Sequence, residues 1–199
     1  MTKVETAART IVDADTAATH KAAQVRDAPL AKLAGSAAQV ADQPPLIALS
    51  IGTAVVGLFA KRPDLVRGGL RMLAAHAVAT GVKTAIKHRV NRTRPAKALD
   101  DGEHRFEPGT SRDHDLSSFP SGHLAGAVAV SRAAAHEIGG TGTPALLATT
   151  AVAAAQAPAG NHYLLDMAAG AVIGWVSEAI VGMVFDRAEP FVQRAWARV

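Results

Sequence analysis

Five apolar runs, at about 46–60, 72–86, 122–138, 145–157 and 164–185, recur along this 199-residue chain between connectors and one long polar segment, Lys87 to Pro120. Each run is long for a strand and of ordinary length for a helix. A membrane span needs about 20 mostly apolar residues, and several of these runs fall slightly short. The first, LIALSIGTAVVGLFA, carries no charge at all. Others do: Arg132 and Glu178 interrupt the third and fifth runs. In lipid such charges must face other helices or water, and the two can pair between helices. Gly170 and Gly174 have the small-x-x-x-small spacing that lets helix backbones approach closely. The pattern predicts an all-α helical bundle, multi-pass transmembrane, with about five core helices.

The chain divides into three parts. Residues 1–45 are a polar, Ala-rich, helical segment with no clear apolar stripe, expected to be loosely attached. Residues 46–187 form the bundle, and 188–199 are a basic tail. No repeat and no second domain is visible. The first residues lack the apolar core of a secretory signal peptide. The absence of cysteine excludes disulfides, thiolate metal sites and a cysteine nucleophile. A net charge of +4 suits an anionic lipid or a phosphorylated substrate.

Three polar clusters sit at the ends of apolar runs: KHRVNRTRP (87–95), FPSGH (119–123) and NHYLLD (161–166). If the second run exits on one side, the third returns from it and the fourth exits to it again. All three clusters then share one face of the bundle. Lys87 and Arg94 supply a point charge and a planar fork of donors for phosphate oxygens. Ser121 and Gly122 stand at a helix start, where exposed amides make an anion site. His123 is placed to protonate a leaving group. His162 and Asp166, four apart, read either as a helix-end polar pair or as a nucleophile with an orienting carboxylate. Together the groups suggest phosphoryl transfer through a covalent histidine intermediate.

Lys-x6-Arg-Pro, then Pro-Ser-Gly-His, then His-x3-Asp, in that order over about 40% of the chain, resembles the type-2 phosphatidic acid phosphatase superfamily. That group includes lipid phosphatases, bacterial acid phosphatases and vanadium haloperoxidases. The resemblance implies that His162 attacks phosphorus, Asp166 orients and charge-stabilises it, and His123 protonates the leaving oxygen. It implies that Lys87, Arg94, Ser121 and the Gly122 amide hold the phosphoryl oxygens, with no metal and no cofactor. The implied partners are a phosphorylated lipid substrate, of phosphatidate or polyprenyl diphosphate type, and a membrane, with no nucleic acid.

One position departs from the family. The third motif there begins Ser-Arg, whereas this chain has Ala155 and Gln156. Losing such a donor typically costs about 10²–10³ in rate. Arg132, in another Ser-Arg pair, sits about 13 Å along its helix from His123 at 1.5 Å per residue, too deep to substitute. Arg89 and Arg92 are the expected compensators. PSGH is not the Gly-x-Ser-x-Gly elbow of serine hydrolases, which argues against Ser121 as nucleophile. His104 and His114 lie in a charge-balanced loop read as solvated rather than metal-binding; His20, His76, His88 and His136 are read as structural. The alternatives are a weakened membrane protein that binds phosphorylated lipid without turnover, and a soluble acid phosphatase of the same superfamily. The basic connector at 61–71 and the basic tail fall opposite the three clusters. That places the protein in the cell membrane with its site outside the cytoplasm, although the 87–119 loop carries seven Lys/Arg of its own.

Overall fold

In the computed structural model, which describes residues 3–196, five helices build the bundle, and three further helices, two 3₁₀ turns and a two-stranded hairpin complete it. The bundle helices are α3 (Gln43–Phe59), α4 (Pro63–Lys87), α6 (Gly122–Glu137), α7 (Gly142–Gln156) and α8 (Leu164–Trp196). They coincide with the five apolar runs, except that α4 starts at Pro63 and so takes in most of the basic stretch expected as a connector at 61–71, because Pro63 opens a helix there. Proline at the first turn starts α3 and α4, where its missing N–H costs nothing. The Ser121 hydroxyl accepts from the Leu124 amide to cap α6. α8 runs through Pro190 to Trp196, so the stretch expected as a separate basic tail continues the last helix.

α6 is the central helix, packed on α4, α7 and α8, and α4 also packs on α3 and α8. The core is built of small side chains: Ala75, Ala79, Ala125, Ala129 and Ala133 surround Leu46, Met72, Val130 and Val181. Small residues let the helices come close. A Cβ on Gly170 would lie 2.4 Å from the Ser121 carbonyl oxygen, and one on Gly174 2.4 Å from that of Ala125. Neither contact is sterically possible, so both glycines are required where α8 crosses α6.

Away from the core the helices stay apolar. Val172, Trp175, Val176, Ile180, Met183 and Val184 on α8, and Leu49, Ile51, Val55, Val56, Leu58 and Phe59 on α3, are exposed. Continuous apolar surface of this kind marks contact with a membrane or a partner. By length and composition, the stretch of α8 from Leu164 to Ala188 qualifies as a span. The pieces at 29–41 and 43–59 qualify only as a pair bent by 48°.

At the end where α4 begins and α6 ends, buried charges are matched in an ionic network. Arg71 donates to Glu178 Oε1 (Nε at 3.0 Å, Nη2 at 2.5 Å) and to Glu137 Oε1 at 2.7 Å. Arg132 Nε reaches Glu178 Oε2 at 3.1 Å, the interhelical pairing anticipated for those two residues. Arg67 bonds Glu137 at 2.7 Å.

The N-terminal segment is not loosely attached. α1 (Lys3–Ala23) lies against α8 and the short helix α5 (Pro95–Asp101). Its docking face is Asp15, Thr19 and Ala23, a mostly polar stripe at four-residue spacing that hydrophobic periodicity does not detect. α2 (Pro29–Ala37) and a 3₁₀ turn (Ala38–Ala41) lead into α3. The polar segment after α4 holds a two-stranded antiparallel hairpin, β1 (Val90–Arg92) and β2 (Phe106–Pro108), with α5 between its strands.

Candidate active site

The end of the bundle where α4 stops and α6 and α8 start encloses a cavity of about 410 Å³. Lys83 and Lys87 line it from the last turns of α4, and Arg94 from the residue that opens α5. Gly122 and His123 come from the first turn of α6, and Asn161 and His162 from the loop before α8. Asp42 and Gln43 come from the start of α3. The three sequence clusters therefore meet at one end of the bundle, as alternating helix direction requires.

His162 is buried just ahead of α8. Its Nδ1 lies 2.9 Å from the Ser118 carbonyl oxygen. A carbonyl only accepts, so Nδ1 carries the hydrogen and Nε2 keeps its lone pair. Burial is the main influence on this imidazole and pushes it down to about 4. The Asp166 charge opposes that shift, and Arg94 and Lys87 reinforce it. The ring is neutral at physiological pH, the form a nucleophile needs.

Asp166 does not bond the ring directly. Its Oδ2 is 3.8 Å from His162 Nδ1, beyond hydrogen-bond reach. The expected direct bond fails because α8 begins at Leu164, so the two residues do not share a helical face. The carboxylate instead accepts from Ser118 Oγ at 2.6 Å, the Tyr163 amide at 2.9 Å and Arg92 Nη1 at 2.7 Å. It thereby holds both segments that position the imidazole, with its charge nearby.

His123 faces His162 edge-on, ring centroids 5.9 Å apart, and its Nε2 lies 3.1 Å from Asp42 Oδ1. Lys87 Nζ donates to the Ser117 carbonyl. Arg94 is braced by the His114 and Asn161 carbonyls, each at 3.0 Å, through Nε and Nη1. Its Nη2 has no bond among the described residues.

Other expected positions fall elsewhere. Ser121 is fully buried, with its hydroxyl used as the α6 cap, and it does not line the cavity. Gln156 is also fully buried, and neither its amide oxygen nor its amide nitrogen has a partner. The expected compensators are absent from the cavity wall. Arg89 donates to the Ala85 carbonyl at an exposed position. Arg92 is buried between the Tyr163 and Phe106 rings and bridges Asp166 and Asp15. Arg132 is held by Glu178. His104 packs edge-on against Tyr163, while His114 sits at the cavity rim.

Three contributors escaped the sequence reading. Ser118 lies in a serine pair just before FPSGH, with nothing to mark its carbonyl. Asp42 is far away in sequence. Lys83 carried a signal, since Lys83 and Lys87 are one turn apart and share a face of α4.

Residues 68–189, well over half of the chain, match the family described as the PAP2 superfamily. The chain belongs to that superfamily. Among solved structures it is similar to the first transmembrane PAP2 type phosphatidylglycerolphosphate phosphatase from Bacillus subtilis, with a TM-score of 0.62 at 18% identity, covering 89% of this chain and 87% of that one. It is also similar to Aquifex aeolicus LpxE, with a TM-score of 0.54 at 20% identity, covering 80% of this chain and 91% of that one. At such identities the likeness is one of fold. No curated protein matches the chain. Membership of this superfamily and the phosphatase fold of its neighbours support a phosphatase.

Proposed function

We propose that the protein hydrolyses a phosphate monoester or diphosphate of a lipid through a phosphohistidine intermediate, without a metal ion. The observation that carries this reading is the pair of facing histidines in a cationic cavity. One of them is held with its Nδ1 hydrogen engaged and its Nε2 lone pair free.

His162 Nε2 attacks phosphorus. The P–O bond to the leaving group breaks, and His123 gives that oxygen a proton. Arg94, Lys87 and the Gly122 amide hold the phosphoryl oxygens as charge builds on them, which is where preorganised donors accelerate a reaction most. Asp166, bonded to Ser118 and 3.8 Å from the ring, stabilises the positive charge that develops on His162. Water then attacks phosphorus with His123 accepting its proton, the P–Nε2 bond breaks and its electron pair returns to the His162 ring, and inorganic phosphate leaves.

A lipid is favoured over a soluble ester by the apolar residues exposed on α3 and α8, whose site-proximal ends lie beside the cavity. In this reading the bundle crosses the cell membrane several times, with the cavity on the extracytoplasmic side opposite Lys61 and Arg62, the part of the expected 61–71 connector left between α3 and α4. Phosphate release from phosphatidate, a polyprenyl diphosphate and phosphatidylglycerolphosphate in detergent tests the proposal. Release from at least one of them, unaffected by EDTA and abolished by His162→Ala, supports it. Release that persists in His162→Ala overturns it, and a wild-type protein that binds these lipids without turnover supports the weakened-binder reading.

A further inference from the structure

We propose that Lys83 supplies the third phosphoryl-binding cation of this site, entering from α4 in place of the arginine that Gln156 replaces on α7. This rests on the phosphatase reading above and specifies how its cavity is completed.

Gln156 cannot fill that role in this fold. It is fully buried, does not line the cavity, and turns neither amide atom to a partner. The other arginines near the motifs are committed elsewhere: Arg92 to two carboxylates, Arg89 to a backbone carbonyl and Arg132 to Glu178.

Lys83 has the opposite character. It lines the cavity one turn ahead of Lys87. Its Nζ reaches to 3.0 Å from where a Gly122 Cβ would stand, at the open first turn of α6. That turn presents the unpaired amides an anion seeks. Among the described residues Lys83 makes no hydrogen bond and no ion pair within 4 Å, so its ammonium is available. With Lys83, the cavity wall carries Lys83, Lys87 and Arg94 against the single carboxylate of Asp42. The cation count lost at Gln156 is restored from a different helix. A lysine there is a mobile point charge rather than a planar fork, so it can follow the phosphoryl oxygens as geometry changes along the reaction.

The competing role for Lys83 is simple neutralisation of Asp42 across the cavity. The test separates the two. Lys83→Met, Lys83→Arg and Lys83→Met/Asp42→Asn are compared with wild type for phosphate release, and for binding of inorganic orthovanadate by calorimetry. The expected result is a fall of about 10²–10³ in kcat/KM for Lys83→Met, at least tenfold weaker vanadate binding, and Lys83→Arg within about tenfold of wild type. The double variant stays as slow as Lys83→Met. Activity of Lys83→Met within threefold of wild type, or recovery in the double variant, overturns the assignment. If wild type turns over no lipid, the phosphatase reading fails by itself. Vanadate binding then decides on Lys83 alone, and unchanged affinity in Lys83→Met rejects it.

Discussion

Replacing Arg92 with methionine is the perturbation whose outcome follows most directly from the packing. The Arg92 side chain is wholly buried, and so is Asp166, while Asp15 is nearly so. The guanidinium donates to Asp166 at 2.7 Å and to Asp15 at 2.8 Å, and lies 4.0 Å from the Tyr163 ring centroid. Methionine keeps most of the apolar contact and removes the charge. Two buried carboxylates then lose their shared cation. Breaking a buried pair from one side costs about 3–5 kcal/mol, and in a chain of this size each kcal/mol moves Tm by about 2–4 °C. The expected fall in Tm, read by differential scanning fluorimetry in detergent, is about 6–20 °C on those figures. The remaining activity, measured well below the new Tm, should show a lower kcat with KM nearly unchanged, because Arg92 acts through Asp166 and never meets the substrate. A Tm within about 2 °C of wild type, below the cost of even one broken buried pair, would refute the idea that this ion bridge fastens α1 and the polar hairpin to the site.

Three further outcomes follow from buried groups. His162 is pushed down to about 4 by burial, so the acidic limb of the kcat/KM profile for the free enzyme should fall near pH 4 rather than near 6.5; a limb at 6.5 would show the ring to be solvated. The same shift makes stability drop as pH falls from about 6.5 toward 4, since the unfolded chain binds a proton there that the folded one refuses. Gln156 buries an amide without a partner, at a typical cost of about 1–3 kcal/mol, so Gln156→Met should raise Tm by several degrees, and a lowered Tm would mean the amide is satisfied.

The helices were legible because each apolar run is long, closed by Pro, Gly or charge, and too uniform to be anything but a helix. The convergence of Lys87, Arg94, His123 and His162 was legible too, since helix alternation alone puts those run ends together. What the sequence concealed is carried by polar atoms at distances the chain does not encode. Asp15 and Thr19 dock α1 through a stripe with no apolar periodicity. The bond to His162 comes from the Ser118 carbonyl, a backbone group identical in every residue type. Ser121 was read as a phosphate ligand, but the helix it opens needs its hydroxyl as a cap. Asp42 reaches His123 from 81 positions away in the chain, a pairing no local pattern announces. Arg92 looked like spare charge for the cavity; the carboxylates on either side of it claim both ends of its guanidinium.

The central claim is that His162 becomes covalently phosphorylated. Acid-quenched or alkali-quenched protein, taken during turnover of a ³²P-labelled lipid phosphate, gives the direct measurement. The account predicts a label that survives alkali, is lost in acid, maps to the peptide containing His162, and disappears in His162→Ala. An active enzyme that carries no such label under rapid quench, or whose label maps to another residue, would contradict it.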